Sequence, residues 1–432
     1  MFLKRGFNQP NIKNSLWIIG EQIVQMIISF VISILSARYL GPTNYGTLNY
    51  TASIVTLFSS IATLGMESVV IKRIIERPDC EGKYLGGCIG LRTISSVIST
   101  IAIGIIVYVL NPDDNLKIAM ALLQSLQLIF RSVHVLDSWF QRYLKSKYVS
   151  IGKMISCILV AAYKIFLLVQ SKSVLWFAIN NSLSDLIVSI VLYLFYKKES
   201  NQRIEIKLSY GIDILKDSYH FIISGLMVAI YGQMDKIMIG NALSDTEVGL
   251  YSIATGICGM WIFVPMAVIN SYRPMIMELK QKGEERLYLL RLRQLYSTII
   301  WMCIGVSGFI CVFGGHIIQL MYGNAYIGAT SALKIAVWFE TFSMIGTARG
   351  IWIVSENKNK YVKYYLGFGV MVNLILNALL IPSWGINGAA FATLATQLAT
   401  SLIAPLFFKD TRIHTKYVWD AFVFSWLREI RR

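Results

Sequence analysis

The stretch "AIYGQMDKIMIG", residues 229–240, places an acid and a base, Asp235 and Lys236, side by side within a run of apolar residues. A charge at the centre of a membrane helix costs about 2.5–3.5 kcal/mol on insertion scales, so such residues need a physical reason to be there. The apolar run extends over residues 217–240. It matches the roughly 20 residues that cross a hydrocarbon core about 30 Å thick, which indicates a membrane-spanning helix.

Eleven further apolar blocks of similar length occur along the chain, whose 432 residues are 55% hydrophobic and 15% charged. An average soluble domain has about 25% charged residues. Backbone groups find no water in hydrocarbon, and the blocks lack the alternation of a membrane barrel, so they must be helices. The sequence therefore predicts an all-α polytopic membrane protein with twelve transmembrane helices. In chain order, spans 1 to 12 cover residues 14–36, 44–66, 85–110, 116–139, 150–170, 174–196, 217–240, 247–270, 293–314, 329–353, 361–381 and 386–408.

The charge distribution predicts how these spans are oriented. The chain has 40 Lys and Arg against 24 Asp and Glu, a net charge of +16. If the N-terminus is cytoplasmic, nearly all loop cations fall on the cytoplasmic side, and only Arg38, Lys117 and Lys172 lie at the other side. This positive-inside pattern predicts that both termini are cytoplasmic, and it explains the positive charge without nucleic acid. Span 1 follows a basic start without a cleavage site, so we expect it to be retained and not removed as a signal peptide.

The spans divide six and six around a charged linker, residues 197–216. We predict an N-terminal lobe (1–196), a C-terminal lobe (217–408) and a basic cytoplasmic tail (409–432). Because six is even, both lobes enter the membrane from the same side, as in transporters that bind substrate between two repeats. The loops are too short for a soluble catalytic domain, and neither a nucleotide-binding motif nor a zinc motif is present. The sequence therefore does not favour an enzyme or a metal site.

Polar residues at helical spacing mark the candidate site. On span 4 they share one face: Gln124, Gln127, Arg131 and His134. Arg131 lies too deep for comfortable snorkelling to the interface. Two interpretations remain open for it. Arg131 faces a water-filled cavity together with Gln127 and His134, or it forms a structural ion pair with Asp137 or with a neighbouring helix.

Four further residues enter the candidate list on other spans. Asn49 belongs to a polar stripe on span 2, which indicates either close helix packing or a cavity wall. Asp185 lies in the middle of span 6 and needs a partner, for which Lys164 on span 5 is suitable. Asp235 and Lys236 point about 100° apart on span 7 and cannot pair with each other. Lys236 either snorkels outward or faces a cavity. Asp235 needs a buried partner, faces the cavity between the lobes, or binds a coupling H⁺ or Na⁺.

Three stretches resemble a known family. "SARYLGPTNYGTLNY" (36–50) follows the first helix, and "GQMDKIMIGNALSDTEVGLYSIA" (232–254) stands at the corresponding start of the second lobe. "LIPSWGINGAAFATLATQ" (380–397) leads into the last helix. Together they are similar to the Wzx-type polysaccharide-export flippases that handle O-antigen and teichoic-acid units. This family belongs to the MOP superfamily, with the MATE drug exporters and the lipid II flippase.

The resemblance implies a MATE-like fold with two six-helix lobes around a central cavity. It implies transport by alternating access of an undecaprenyl-diphosphate-linked oligosaccharide across the bacterial inner membrane. Arg131 would be the first contact for a pyrophosphate or an acidic sugar, followed by Lys236 and Arg349, and Arg349 is also close enough to the inner face to snorkel. The expected partners are the lipid-linked glycan, membrane lipids and other polysaccharide-assembly proteins. No cofactor other than a coupling ion is expected.

Three other functions compete with this hypothesis. A MATE-like multidrug or cation antiporter would need a largely apolar cavity with a few acids, whereas the charges on the spans lean basic and favour an anionic substrate. A membrane enzyme such as a polymerase or a glycosyltransferase would need a sizeable outer loop or an acidic metal-binding motif. A scaffold without transport activity would not need polar stripes along several helices.

Overall fold

The computed structural model describes residues 10–426, with side chains from Trp17 onward except that of Ile19. Every regular element in this part of the chain is helical. The α-helices are α1 Pro10–Thr63, α2 Glu67–Glu76, α3 Glu81–Leu110, α4 Asn115–Arg131, α5 Leu136–Arg142, α6 Ser146–Val169, α7 Val174–Ala178, α8 Asn180–Glu199, α9 Leu208–Ala242, α10 Asp245–Gly259, α11 Phe263–Gln281, α12 Glu285–Tyr322, α13 Ala329–Ser355, α14 Val362–Trp384, α15 Ile386–Leu398 and α16 Arg412–Phe422.

Within residues 10–426, ten helical segments are long and apolar enough to cross a membrane. The first segment, Gly20–Glu76, contains most of predicted span 1 and all of predicted span 2. The structure joins these spans in α1 with a single break at Gly41, whose φ of 71° is a conformation that glycine adopts without strain. The prediction of an all-α polytopic membrane protein is confirmed.

Helix α13 coincides with predicted span 10 but is not one of these ten segments. It carries three charges, Lys334, Glu340 and Arg349, which lower its mean hydropathy. The count of twelve transmembrane helices therefore stays a prediction.

The first compact unit comprises the described residues up to Ala229. Helix α1 packs against α3, α4 and α6, and α8 packs against α4 and α6. Aromatic side chains fill the end of this unit from which the linker leaves. The Trp139 ring contacts Phe140 at 5.0 Å and Tyr196 at 5.1 Å between ring centroids, both edge to face. Edge-to-face contacts of this kind add to the stability gained by burying the rings.

The linker between α8 and α9 lies directly on glycines of α3. A Cβ atom on Gly82 would lie 2.1 Å from the carbonyl oxygen of Arg203, and one on Gly86 would lie 2.2 Å from that of Glu205. The amide of Glu205 donates a hydrogen bond to the carbonyl oxygen of Gly82 at 3.2 Å. The linker is therefore held against the first unit by backbone contacts that only glycine permits.

The second compact unit begins at Ile230, so the boundary between the units falls inside α9. Helix α13 packs against α10, α12 and α15, and α14 packs against α15. Within the predicted tail 409–432, α16 packs against α12. Its His414 is fully buried, with ring centroids 5.4 Å from Tyr296 and 5.5 Å from Trp352. Residues 427–432 of the predicted tail lie outside the described residues.

We expect Gly86→Ala to lower the thermal stability of the protein, because the new methyl group would clash with the linker backbone. Overpacking of this kind costs roughly 1–3 kcal/mol. Gly305→Ala is the matched control, since a Cβ atom at this helical glycine meets nothing within 4 Å. Thermal unfolding in detergent and tryptic cleavage of the linker measure the effect. Equal midpoints and equal cleavage rates for both variants would contradict the placement of the linker.

Candidate functional site

A polar cavity of about 390 Å³ lies inside the first unit. Helices α1, α2, α4, α5, α6 and α8 and the turn after α4 supply its walls. Most of the side chains that line it are charged, amide or hydroxyl groups. They are Glu21, Gln22, Gln25, Glu67, Arg131, His134, Asp137, Ser138, Gln141, Lys153, Ser184, Asp185 and Val188.

Arg131 and Asp185 form the ion pair at the centre of this cavity. The Arg131 Nε donates to Asp185 Oδ2 at 3.0 Å, and Nη2 lies 2.9 Å from the same oxygen. The Arg131 side chain is 37% exposed and that of Asp185 is 11% exposed, so the arginine still faces the cavity. Arg131 therefore pairs with a neighbouring helix and also lines the cavity.

Two specific partners suggested from the sequence were wrong, Lys164 for Asp185 and Asp137 for Arg131. Asp185 pairs with Arg131 and not with Lys164, because α4 and α8 pack directly together and bring the two side chains to one wall. Asp137 does not pair with Arg131; its Oδ2 lies 3.8 Å from the Nζ of Lys153 on α6.

The charges around the cavity are mixed and not mainly basic. Four acids line it, Glu21, Glu67, Asp137 and Asp185, against three basic residues, Arg131, His134 and Lys153. The Nε2 of His134 lies 3.3 Å from the carbonyl oxygen of Asp185.

Sequence analysis missed Glu21 and Lys153 as site residues. The signal for Glu21 was its four-residue spacing from Gln25 in span 1, which places both on one helix face. No spacing within a single helix identifies Lys153, because its role depends on the neighbouring α5.

The structure does not bring Gln127 or Asn49 to the wall of this cavity. The Gln127 Nε2 donates to the carbonyl oxygen of Gln124 at 2.9 Å, and the Asn49 Nδ2 donates to that of Tyr45 at 2.8 Å. Amides that bond backbone carbonyls of their own helix are satisfied without a ligand. A binding role for either residue stays a prediction.

A second polar cluster surrounds Asp235 in the second unit. The buried carboxylate accepts hydrogen bonds at Oδ1 from Asn373 at 3.1 Å and from Asn377 at 2.5 Å. At Oδ2 it accepts from the Tyr251 hydroxyl at 2.7 Å and from the Thr393 hydroxyl. Helices α9, α10, α14 and α15 thus meet at one carboxylate, which among the described residues forms no ion pair and interacts electrostatically with the adjacent Lys236. The described residues contain no group of three or more His, Cys, Asp or Glu side chains that could hold a metal ion.

Lys236 and Arg349, the other two predicted cations, also lie in the second unit. Lys236 is half-buried and interacts electrostatically with the adjacent Asp235, but it forms no ion pair with a described acid. Arg349 is buried, and its Nη1 donates to the carbonyl oxygens of Thr400 at 2.6 Å and Ser401 at 3.3 Å. The expectation that Arg349 snorkels was wrong. The carbonyl groups of the π-helical turn Ala399–Ile403 accept hydrogen bonds from its guanidinium inside the protein.

Comparison with known proteins places this geometry in context. The model of the family described as "Polysaccharide biosynthesis protein" matches residues 12–280. The "Probable low-salt glycan biosynthesis flippase Agl15" of Haloferax volcanii is 24% identical over 392 residues, which cover 89% of this chain and 80% of that relative.

Two solved structures share the fold. A structure of the lipid II flippase MurJ in an inward closed conformation aligns with a TM-score of 0.70 and 14% identity over 94% of this chain and 91% of that chain. A multidrug resistance MATE family transporter of the MOP superfamily, in an inward-facing conformation, aligns with a TM-score of 0.65 and 15% identity over 92% and 96%. The resemblance found in the sequence is confirmed at the level of the family: the chain belongs to the polysaccharide biosynthesis protein family and has the MATE-like fold of the MOP superfamily.

Proposed function

We propose that this protein is a flippase that moves a lipid-linked oligosaccharide across a membrane, and that it is not an enzyme. The observation that carries the proposal is the polar cavity in which Arg131 is paired with Asp185 and still faces open space. Family membership supports it, as do the names of similar proteins, which describe glycan and lipid flippases. The specific substrate we propose is an undecaprenyl-diphosphate-linked repeat unit of a surface polysaccharide such as O-antigen. The membrane would be the bacterial inner membrane, with both termini cytoplasmic.

The chemistry of the cavity suits such a head group. A phosphorylated sugar cannot enter hydrocarbon unless protein groups replace its hydrogen bonds to water. The amides and hydroxyls of the cavity supply these hydrogen bonds, and its carboxylates accept hydrogen bonds from sugar hydroxyls. Arg131 offers guanidinium protons that Asp185 does not use, and a planar guanidinium matches the oxygens of a phosphate. Asp185 holds this guanidinium in place, so little side-chain entropy is lost when the phosphate binds.

The transport cycle we propose is alternating access. The head group enters from the cytoplasmic side and leaves on the other side after the lobes have rearranged, while the polyprenyl tail stays in the lipid. Lys236 and Arg349 are secondary candidates for contact with the anionic head group. Lys236 forms no ion pair with the adjacent Asp235, whereas Arg349 already donates hydrogen bonds to the carbonyl oxygens of Thr400 and Ser401.

We further propose that Asp235 couples transport to an H⁺ or Na⁺ gradient. Its four hydrogen-bond partners are all neutral, so a bound cation or proton would neutralise a buried carboxylate with which the adjacent Lys236 interacts electrostatically but forms no ion pair. Each partner side chain also carries an oxygen. The amide oxygens of Asn373 and Asn377 can be presented by rotating the amide, since the assignment of amide nitrogen and oxygen follows from the surrounding hydrogen bonds.

The acids of the cavity also favour a second candidate, a MATE-like multidrug or cation antiporter. Four carboxyl groups against three basic side chains would attract a cationic drug. The two functions differ in what they transport, so one assay separates them.

Arg131→Gln is expected to lower glycolipid translocation at least tenfold, because hydrogen bonds to a charged group contribute roughly 1.5–3 kcal/mol each. The assay uses proteoliposomes that contain fluorescent undecaprenyl-diphosphate oligosaccharide and measures how much of it each leaflet exposes. Arg77→Gln is the matched control, because Arg77 is exposed and lies outside the cavity.

A double variant, Arg131→Gln with Asp185→Asn, separates binding from structure. It leaves no unpaired charge, so it should fold, yet we expect it to stay inactive. Full activity of the double variant would show that Arg131 only neutralises Asp185. Export of cationic dyes without any translocation of glycolipid would support the antiporter instead.

Asp235→Asn is expected to abolish the stimulation of transport by an imposed Na⁺ or pH gradient, because the variant amide no longer carries a negative charge. Initial rates with and without each gradient measure this effect. Glu340→Gln is the matched control: Glu340 is also a buried acid of the second unit, only 4% exposed, and it lies outside the Asp235 cluster. If Glu340→Gln removed the stimulation and Asp235→Asn retained it, the coupling site would be assigned to the wrong carboxylate.

A further inference from the structure

A second cavity, of about 530 Å³, lies where α8 ends and the linker begins. It shares no residue with the cavity around Arg131. Tyrosines, amides and two basic side chains surround it. The lining residues are Tyr193, Tyr196, Lys197, Ser200, Asn201, Gln202, Arg203 and Ile204.

The two cations of this cavity form no ion pair, and Glu81, the acid behind Ser200, accepts hydrogen bonds from the Ser200 and Tyr143 hydroxyls. Lys197 and Arg203 are exposed, no acid lines the cavity with them, and neither side chain pairs with any described residue. An excess of positive charge in a concave polar site attracts an anion.

The acids next to these cations in the chain are already engaged elsewhere. Glu199 accepts hydrogen bonds from Lys145 Nζ at 2.6 Å and from the Tyr148 hydroxyl at 2.8 Å. The Oε2 of Glu205 lies 3.0 Å from Lys207 Nζ. The hydrogen bond from Lys207 lowers the pKa of the Glu205 carboxyl, so this acid is ionised and paired at neutral pH. Neither acid is therefore free to balance Lys197 or Arg203.

The wall formed by the linker is preformed. The Gln202 Nε2 donates to the carbonyl oxygen of Pro78 at 2.7 Å, while its Oε1 accepts from the amide of Gly82 at 3.2 Å. The Ser200 hydroxyl donates to Glu81 Oε1 at 3.3 Å. An anion that binds here does not have to order the loop first, which removes a main entropic cost of binding.

The exposed side chains around the cavity are of the types found at a membrane surface. Tyr193 is half exposed beside it, as is usual for aromatic residues at the level of lipid headgroups. Ile190 and Leu194 are exposed on the adjacent turns of α8, where they would contact acyl chains. Ile206 of the linker is 70% exposed.

We propose that this cavity binds the phosphate of an anionic phospholipid from the leaflet that the linker faces. Lys197 and Arg203 contact the phosphate, Asn201 contacts the polar part of the headgroup, and one acyl chain follows Ile190 and Leu194 along α8. The bound lipid thereby joins the end of α8 to the linker. A soluble anion would use the phosphate contacts but would leave this apolar surface to other lipids.

Lipid binding to the purified full-length protein in detergent tests the proposal. Native mass spectrometry with added phosphatidylglycerol gives the Kd of the tightest lipid, and phosphatidylcholine serves as the uncharged comparison. A basic residue near an anionic surface contributes about 1 kcal/mol. We therefore expect Lys197→Gln and Arg203→Gln to raise the Kd about fivefold each, and about thirtyfold together. Arg203→Lys should restore most of the affinity.

Lys198→Gln is the matched control, because Lys198 is an exposed neighbour of the same charge that does not line the cavity. We expect it to leave the Kd unchanged; an equal loss would show general attraction to a basic surface and overturn the proposal. Two further outcomes would overturn it. Inorganic phosphate that displaces phosphatidylglycerol at millimolar concentration would identify a soluble anion. Undecaprenyl diphosphate that binds here more tightly than phosphatidylglycerol would assign the cavity to the transported lipid.

Discussion

The hydrocarbon core of a membrane supplies no hydrogen-bond partner, and many polar groups within the described helices are arranged under this constraint. Hydroxyl side chains donate hydrogen bonds to carbonyl oxygens of their own helix, as Thr51 does to Thr47. Charges are treated in three ways. Arg131 forms an ion pair with a carboxylate, Arg349 donates hydrogen bonds to carbonyl oxygens, and Asp235 accepts hydrogen bonds from four neutral donors. Each solution requires contacts between different helices, so the polar groups also fix which helices pack together.

The two units differ in how they handle charge. The first contains an open cavity where acids and bases face one another, and such a surface can exchange partners with an incoming ligand at little cost. In the second, amides and hydroxyls enclose the Asp235 carboxylate, a closed environment in which gain or loss of one positive charge changes the local energy strongly. Units built in these two ways suit two separate tasks, recognition of a large polar molecule and response to a small ion.

The fold and the family were accessible from the sequence because they depend on local information. The length of each apolar run gives a span, and short motifs around Gly41 and Gly385 resemble those of the family. Pairing between helices was not accessible. Periodicity places Asp185 on a face of its helix, but it cannot show whether that face meets Arg131 or Lys164. The mixed charge of the cavity was missed for the same reason, since its acids come from four different helices.

Arg349 shows a further limit of sequence analysis. Its partners are backbone carbonyl groups of a π-helical turn, and no residue type in that turn identifies this geometry.

The position of the linker depends mainly on backbone contacts, so it depends little on which charged side chains the linker carries. Its carbonyl groups rest on Gly82 and Gly86, so the backbone part of the attachment depends on the residues of α3, and the Gln202 side chain adds hydrogen bonds to Pro78 and Gly82. The charged side chains of the linker, Arg203 and Glu205 among them, are exposed and make none of these contacts. Their charge can therefore change during evolution without loss of the attachment, and the surface that this protein presents to its membrane can adapt to a different lipid composition while the helices keep their positions.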